Sequence, residues 1–320
     1  MNNTLWITWE EQRRNYGIAN ALGVDRFEVI LSKHKGIRRY IECLWKTFKI
    51  FRQEHELKTV ICQNPSFILA LFTVLMKNVL NYTAIVDAHN GGLGLYTKSR
   101  IMKWIARFLQ KHADYTIVTN EALKAVVESN GGRGIVVPDR IPQISAPSSL
   151  FTFEREHNFL FICTYAADEP YEEVFKAAMQ LGSKYCIHVT GNAPNEILEK
   201  WKWCDNIKFL GRVTWEDYEK YLFSVEGIID LTTRENCLVC GAYEAIAAET
   251  PLILSKTKAL QEYFGIDGVH YTTNTHEDLA QQIMGFCSKY DKEAIKSNKE
   301  RLETNWKKYL RVLNEIVYHS

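Results

Sequence analysis

Short apolar runs rich in Val and Ile alternate along this chain with longer stretches of helical periodicity. Strands are predicted over 5–8, 27–31, 59–62, 83–86, 115–119 and 134–137, with helices over 10–22, 37–54 and 66–80 among them. Asn64 and Pro65 stand where a cap and a first-turn proline would start the helix at 66. The pattern breaks in a stretch that holds Pro138, Pro142 and Pro147 among serines, and then restarts. Further strands are predicted over 159–163, 185–190, 207–210, 227–231 and 251–254. Helices are predicted over 171–181, 195–203, 215–223 and 238–248, and a helical tail over 279–317. Continuous apolar runs, rather than strict alternation, mark strands covered on both faces, as in parallel sheets.

This order implies right-handed strand–helix–strand units, and hence an α/β fold of two doubly wound, Rossmann-like domains facing across a cleft. The expected division is an N-terminal domain over 1–142, a linker over 143–155 and a C-terminal domain over 156–300. A C-terminal helix over 301–320 would pack back on the N-terminal domain. With 320 residues, 46% of them apolar, the chain can bury two cores of ordinary size.

Composition narrows the function only by exclusion. The 39 Lys and Arg against 38 Asp and Glu leave a net charge of +1, so bulk charge gives no argument for nucleic acid as a partner. Several of the eight cysteines, Cys163 and Cys186 among them, lie in apolar runs, which suits reduced core thiols and a cytoplasmic protein. Cys237 and Cys240 form a lone C-x-x-C without a second pair at zinc spacing, so no metal is expected. No secretory signal is expected either, since the start lacks a basic stretch and Glu10 and Glu11 follow the first apolar run. The longest apolar run, 67–76, is about half of a membrane span. Neither G-x-x-x-x-G-K nor G-x-G-x-x-G follows the first strand, which argues against a P-loop kinase or a nicotinamide enzyme.

The densest chemistry lies over 230–254. A strand ends in polar residues, a loop carries Arg234 and Glu235, a helix carries Glu244 in its early turns, and a short turn leads to the next strand. By residue type alone, the two glutamates are either ordinary surface groups or a grip for hydroxyls. In the second case a diphosphate would sit on free N–H groups at the helix start near Cys237 and Leu238. In the N-terminal half, His89, Gly91 and Gly92 follow one predicted strand and Gln63 and Asn64 another. Residues 120–121 read mainly as a helix cap.

Glu244-Ala245-Ile246-Ala247 followed by Pro251-Leu252-Ile253 resembles the donor-binding signature of GT-B fold retaining glycosyltransferases, the family 4 (group 1) enzymes in particular. The segments 187–192 and 207–213 resemble two further stretches of that family, in the right order. The resemblance implies that Glu244 contacts a ribose and Glu235 the transferred sugar. It places Thr190, Gly191 and Asn192 near the phosphates and Gly211, Arg212 and Val213 near the nucleobase. It also places His89 at the transferred sugar, and Arg13, Arg14, Gln63, Asn64, Gly91 and Gly92 on the acceptor side. The domain over 1–142 would then serve the acceptor, and that over 156–300 the nucleotide sugar.

The activity implied is that of a hexosyltransferase-like enzyme of bacterial polysaccharide or envelope glycan synthesis. It would move a sugar from a nucleotide diphosphate sugar, its co-substrate, to a glycan or lipid-linked acceptor. Configuration would be retained, with neither metal nor other cofactor. Three features depart from the family pattern. Eight residues separate the two glutamates instead of seven, Glu249 replaces a turn glycine, and 163–171 lacks the cations that neutralise the leaving diphosphate. Asp168 and Glu169 instead read as an acidic pair at a helix start. Arg234, Arg13 and Arg14 are the candidates to supply that charge. Two other readings stay open: a catalytically silent subunit or glycan-binding protein of the same fold, and a sugar-nucleotide epimerase or hydrolase.

The segment 33–52 is basic, and its apolar residues at 37, 41, 44, 45, 48 and 51 form one helical stripe. It is expected to lie on an anionic membrane surface, at the inner face of the cell membrane, or else to pack on the sheet with a solvated basic face.

Overall fold

The computed structural model describes residues 3–53, 57–64, 66–286 and 288–319, with the side chains of 288–291 and 319 excepted. Pro65 and Glu54, two of the predicted boundary residues, lie outside these. The chain forms two compact units, one comprising residues up to Arg140 together with those from Asn305 on, the other Ile141–Thr304.

The first unit runs β1 (Thr4–Thr8), α1 (Arg13–Leu22), β2 (Arg26–Val29), α2 (Ile37–Gln53), β3 (Thr59–Asn64) and α3 (Phe67–Leu80). It continues with β4 (Thr83–Ala88), a 3-10 turn (Asn90–Leu93), α4 (Arg100–His112), β5 (Tyr115–Val118), α5 (Glu121–Ser129) and β6 (Gly134–Val136). The second runs β7 (His157–Phe161), α6 (Tyr171–Gln180), β8 (Tyr185–Thr190), α7 (Asn195–Trp201), β9 (Ile207–Gly211) and α8 (Trp215–Ser224). Then follow β10 (Gly227–Asp230), α9 (Cys240–Ala247), β11 (Leu252–Ser255), α10 (Lys258–Phe264), β12 (Val269–Thr272), α11 (His276–Met284) and α12 (Ser288–His319).

Each unit is built on six parallel strands, ordered β2-β1-β3-β4-β5-β6 in the first and β12-β11-β10-β7-β8-β9 in the second. Right-handed crossovers fix which face each helix covers. In the first unit every step from β2 to β6 moves the same way, so α2, α3, α4 and α5 share one face, with Cys43, Phe51, Leu69 and Leu109 in its core. The step from β1 to β2 runs the other way and puts α1 on the opposite face, where Ile18 and Leu22 meet Trp306, Leu313 and Val317 of α12. In the second unit α8, α9 and α10 cover one face and α6, α7 and α11 the other.

Three differences from the expected layout have simple causes. Residues 143–155, expected as a linker, belong to the second unit. There the Phe151 and Phe153 rings lie 4.6 and 6.1 Å from Tyr221, because two aromatic side chains in a proline-rich stretch have an apolar face to cover. The expected helix over 301–320 is the end of one helix that begins at Ser288, and its residues from Asn305 on belong to the first unit. The expected last strand, over 251–254, is followed by another, β12, whose short Val-His-Tyr-Thr run pairs with β11 at the sheet edge. Among the described residues no helix is long and apolar enough to cross a membrane.

Candidate functional site

In doubly wound sheets ligands bind beyond the carboxyl ends of the strands, near the point where strand order reverses. In the second unit that point lies between β7 and β10. Here a cavity of about 450 Å3 opens, lined by residues 162–164 after β7, Thr190 and Gly191 at the end of β8, and Gly211, Arg212 and Val213 after β9. Thr214, Trp215 and Tyr218 of the next turn and helix, and Glu244 of α9, complete it.

The strand ends are locked together tightly. The Thr190 hydroxyl accepts from the Cys163 N–H at 3.0 Å, and the Gly191 N–H donates to the Gly211 carbonyl at 3.0 Å. Gly191 has φ +84°, and a Cβ there would stand 2.2 Å from the Cys163 carbonyl oxygen, so only glycine fits. Thr214 caps α8 by accepting from the Asp217 N–H, which sets the first turn of that helix beside the cavity.

Glu244 is half-buried at the cavity, and its Oε2 accepts a hydrogen bond from the Tyr218 hydroxyl at 2.5 Å. Burial, with the Glu244 charge behind it, pushes the Tyr218 hydroxyl well above its ordinary value, so it stays a donor. Asp230, at the end of β10, is buried, and the N–H groups of Gly241 and Ala242 at the start of α9 point to its carboxylate. Its pKa is raised well above the ordinary carboxylate range, chiefly by burial and then by the charges of Glu169 and Glu244. A Cβ at Gly241 would lie 2.6 Å from the Asp230 Oδ2, so this glycine is what lets the carboxylate close on the helix. The sequence had suggested free N–H groups at this helix start. The correction is that the Cys237 N–H donates to the Arg234 carbonyl at 3.3 Å, and that the Asp230 carboxylate lies beside the N–H groups of Gly241 and Ala242.

The other candidates of this half divide by placement. Thr190, Gly191, Gly211, Arg212, Val213 and Glu244 line the cavity, and Arg212 is the one cation among them. Asn192, Glu235, Cys237 and Leu238 are not part of its lining, and Asn192 and Glu235 are exposed. Arg234 is held by Asp168 at 3.0 Å, so it is not a loose cation awaiting a diphosphate. Asp168 and Glu169 are not a simple acidic pair at the α6 start. Asp168 Oδ2 accepts from the Thr232 hydroxyl at 2.9 Å, tying the loop after β7 to the loop after β10. The Glu169 carboxylate turns back to accept from the N–H groups of Thr164 at 2.8 Å and Ala166 at 3.0 Å. After α9, Glu249 adopts a left-handed conformation, φ +56°, of the kind that favours glycine, and pairs with Lys299 at 2.9 Å.

In the first unit the candidates gather at the carboxyl ends of β1, β3 and β4. The Gln63 side chain accepts from the Thr8 hydroxyl, and Asn64 donates to the Gly92 carbonyl at 2.9 Å. A Cβ at Gly92 would meet Asn64 at 2.9 Å. Asn64 therefore ties the turn after β4 to β3, and Ser66 rather than Asn64 precedes α3. His89 Nε2, Asn64 Oδ1 and Asn90 Oδ1 are buried without a hydrogen-bond partner among the described residues. Burial lowers the His89 pKa. Gly91 is exposed on the 3-10 turn. Arg13 is exposed, whereas Arg14, read as an acceptor-side or phosphate cation, is buried. Its guanidinium pairs with Asp87 at 2.9 Å and Asp139 at 2.5 Å and donates to the Val137 carbonyl. Its charge is spent inside the first unit. Asn120 caps α5 by accepting from the Leu123 N–H at 3.0 Å.

Sequence reasoning missed Tyr218, Trp215 and the role of Asp230. The first two belong to no recognised stretch. Asp230 carried one usable signal: a carboxylate that ends a Gly-Ile-Ile strand, with a glycine at the start of the following helix.

Two parallel six-stranded sheets with this strand order define the GT-B class of fold. No protein-family model matches the chain, and no curated protein is similar to it. Among solved structures it is similar to HepE of Anabaena in complex with UDP, at 12% identity and a TM-score of 0.73, covering 99% of this chain and 100% of that one. It is similar to sucrose-phosphate synthase of Thermosynechococcus elongatus, at 13% identity and a TM-score of 0.74, covering 98% and 97%. It is also similar to the lipopolysaccharide outer core galactosyltransferase WaaB in its apo form, at 14% identity and a TM-score of 0.68, covering 99% of each chain.

Proposed function

We propose that the chain is a glycosyltransferase that moves a sugar from a nucleotide diphosphate sugar to a glycan or lipid-linked acceptor. The single observation that carries this reading is the cavity at the ends of β7, β8 and β9, with the Glu244 carboxylate on its wall. A carboxylate held by Tyr218 is placed to accept hydrogen bonds from a ribose diol, and Arg212 can lie along a phosphate. Solved complexes of the similar HepE contain UDP and UDP-glucose, which supports a nucleotide sugar as donor. The reaction we propose retains configuration and uses no metal. The acceptor is positioned, the leaving phosphate oxygen takes the acceptor proton, and the protein stabilises developing charge. His89 is the proposed contact for the transferred sugar, and its buried Nε2 has no hydrogen-bond partner among the described residues. Glu235 and Arg234 remain proposed sugar and phosphate contacts, although neither lines the cavity and Arg234 is paired with Asp168. The proposed setting is polysaccharide or envelope glycan synthesis in the cytoplasm, with the segment 33–52 touching an anionic membrane surface.

A silent protein of the same fold is the second reading. It is favoured by two arrangements: Asp230 occupies the α9 start, and Asp168 holds Arg234. Calorimetry on the full chain with a panel of nucleoside diphosphates separates the two. Binding of at least one, lost in Glu244→Ala, is expected of the enzyme. Absence of binding to every member would leave the silent reading. Release of free or epimerised sugar without acceptor would instead identify a hydrolase or epimerase.

A further inference from the structure

We infer that the outer face of the α2–α3–α4 layer in the first unit is a docking surface for an anionic lipid bilayer, with α3 and α4 contacting the lipid together with α2. This deepens the membrane contact proposed for 33–52 and does not depend on the reading of the cavity as a donor site.

The three helices lie side by side on one face of the sheet, α3 in the middle, with Leu44 of α2, Leu71 and Phe72 of α3 and Phe108 of α4 against the same core. A surface helix ordinarily turns polar residues outward. Here the outward stripe of α3 is Ile68, Leu75 and Val79, and Val79 is 72% exposed. On α2 the outward stripe is Ile37, Ile41, Trp45 and Phe48, and on α4 it is Ile101 and Trp104, the latter 66% exposed. Three adjacent helices thus leave their apolar stripes uncovered on one face. A contiguous patch of this kind marks a binding surface rather than chance exposure.

Charge selects the occupant. The three helices carry ten Lys and Arg and one acidic residue, Glu42, in a chain whose net charge is only +1. Arg39, Lys46 and Lys77 are paired, with Glu10, Glu42 and Asp114. For Arg38, Lys49, Arg52, Arg100, Lys103, Arg107 and Lys111 no salt bridge is formed among the described residues. Such a face repels a second copy of itself and attracts negative charge. Exposed Trp and Ile ringed by long cations is the composition of a helix lying in the headgroup region: the apolar side chains enter the acyl boundary and the ammonium and guanidinium groups meet lipid phosphates. The Lys49 ammonium already lies 3.4 Å from the centre of the Trp45 ring, so one side chain pair offers both kinds of contact. Beside Trp104, Lys103 and Arg107 line a cavity of about 320 Å3 against Ser129 at the end of α5 and Asn130 after it, a polar recess next to the apolar stripe that suits a phosphate headgroup.

The test is flotation of the full chain with vesicles of phosphatidylcholine alone and of phosphatidylcholine mixed one to one with phosphatidylglycerol. The wild type is expected to float with the anionic vesicles, to stay behind with the neutral ones, and to be released by high salt. Changing Ile101→Ser and Trp104→Ser together is expected to weaken partitioning by about tenfold or more, as is the pair Ile41→Ser and Trp45→Ser. Both pairs are exposed, and circular dichroism is expected to match the wild type. Hydrogen exchange on the unmodified protein gives an independent reading, with new protection over Arg100–His112 when anionic vesicles are added. Unchanged flotation of the α4 variant, or no protection in α4, would overturn the inference while leaving a contact through α2. Failure of the wild type to float with anionic vesicles would overturn both and leave sugar transfer untouched. A concentration-dependent dimer dissolved by the same substitutions would assign the face to a second copy instead.

Discussion

The hydroxyl of Tyr218 donates to Glu244 Oε2 at 2.5 Å, joining the first turn of α8 to the early turns of α9 across the wall of the cavity. The bond fixes the rotamer of the one residue on which the donor reading rests. Removing the carboxylate in Glu244→Ala is expected to abolish stabilisation by any bound nucleotide. In Tyr218→Phe the carboxylate remains but loses its anchor, and binding is expected to weaken by about tenfold, the ordinary worth of a hydrogen bond to a charged group. Thermal shift and calorimetry with nucleoside diphosphates check both. Equal binding by the wild type and Glu244→Ala would remove Glu244 from the site.

Two glycines, Gly191 on the cavity wall and Gly241 at the start of α9, allow close packing, and they fail differently. A Cβ at Gly241 meets the Asp230 carboxylate at 2.6 Å and the Ile162 Cδ1 at 2.5 Å. Both are side-chain atoms with some room to turn, so Gly241→Ala is expected to cost about 1–3 kcal/mol. At Gly191 the obstacle is the Cys163 carbonyl oxygen at 2.2 Å, and φ is +84°. Backbone cannot rotate away, so Gly191→Ala is expected to cost about 3 kcal/mol or more. Urea unfolding of the two variants should give that order.

Neighbouring arginines in the first unit should behave oppositely. Arg14 is buried between Asp87 and Asp139, and Arg14→Ala strands the buried Asp87 carboxylate. A loss of about 3–5 kcal/mol is expected. Arg13 is exposed, and Arg13→Ala is expected to change stability by about 0.5 kcal/mol or less. Denaturant titration distinguishes them, and a mild effect at Arg14 would contradict the buried ion-pair cluster.

His188 makes stability depend on acid. It is buried on β8, with Nε2 3.0 Å from the Asn158 Oδ1 and Nδ1 without a partner among the described residues. Burial, with Lys208 as a smaller cause, lowers its pKa from 6.5 to about 4. A lowered histidine pKa means that the unfolded chain binds the proton first. The contribution is therefore complete above pH about 6.5, declines as pH falls through that value, and is lost by about pH 4. His188→Gln is expected to flatten the stability profile across this window. An unchanged slope would show that other groups carry it.

The legible part of this protein is what its own local pattern imposes. Runs such as Leu5-Trp6-Ile7 and Ile228-Ile229 must be buried on both faces wherever they go, and their alternation with helices leaves a parallel, doubly wound sheet as the solution. The helix carrying Glu244 could be read likewise, since a strand, a polar loop and an Ala-rich helix follow one another in sequence. Side-chain partnerships were not legible, because they join residues far apart in the chain. Nothing around Arg14 announces Asp87 and Asp139, and nothing around Arg234 announces Asp168. The helix start after Cys237 looked open because Asp230 closes it only once β10 and α9 are packed. Local chemistry determines which elements form, since burial and backbone bonding act over a few residues. Tertiary structure alone decides which charges are consumed internally and which remain for a ligand, since that depends on which distant carboxylate folding brings within reach.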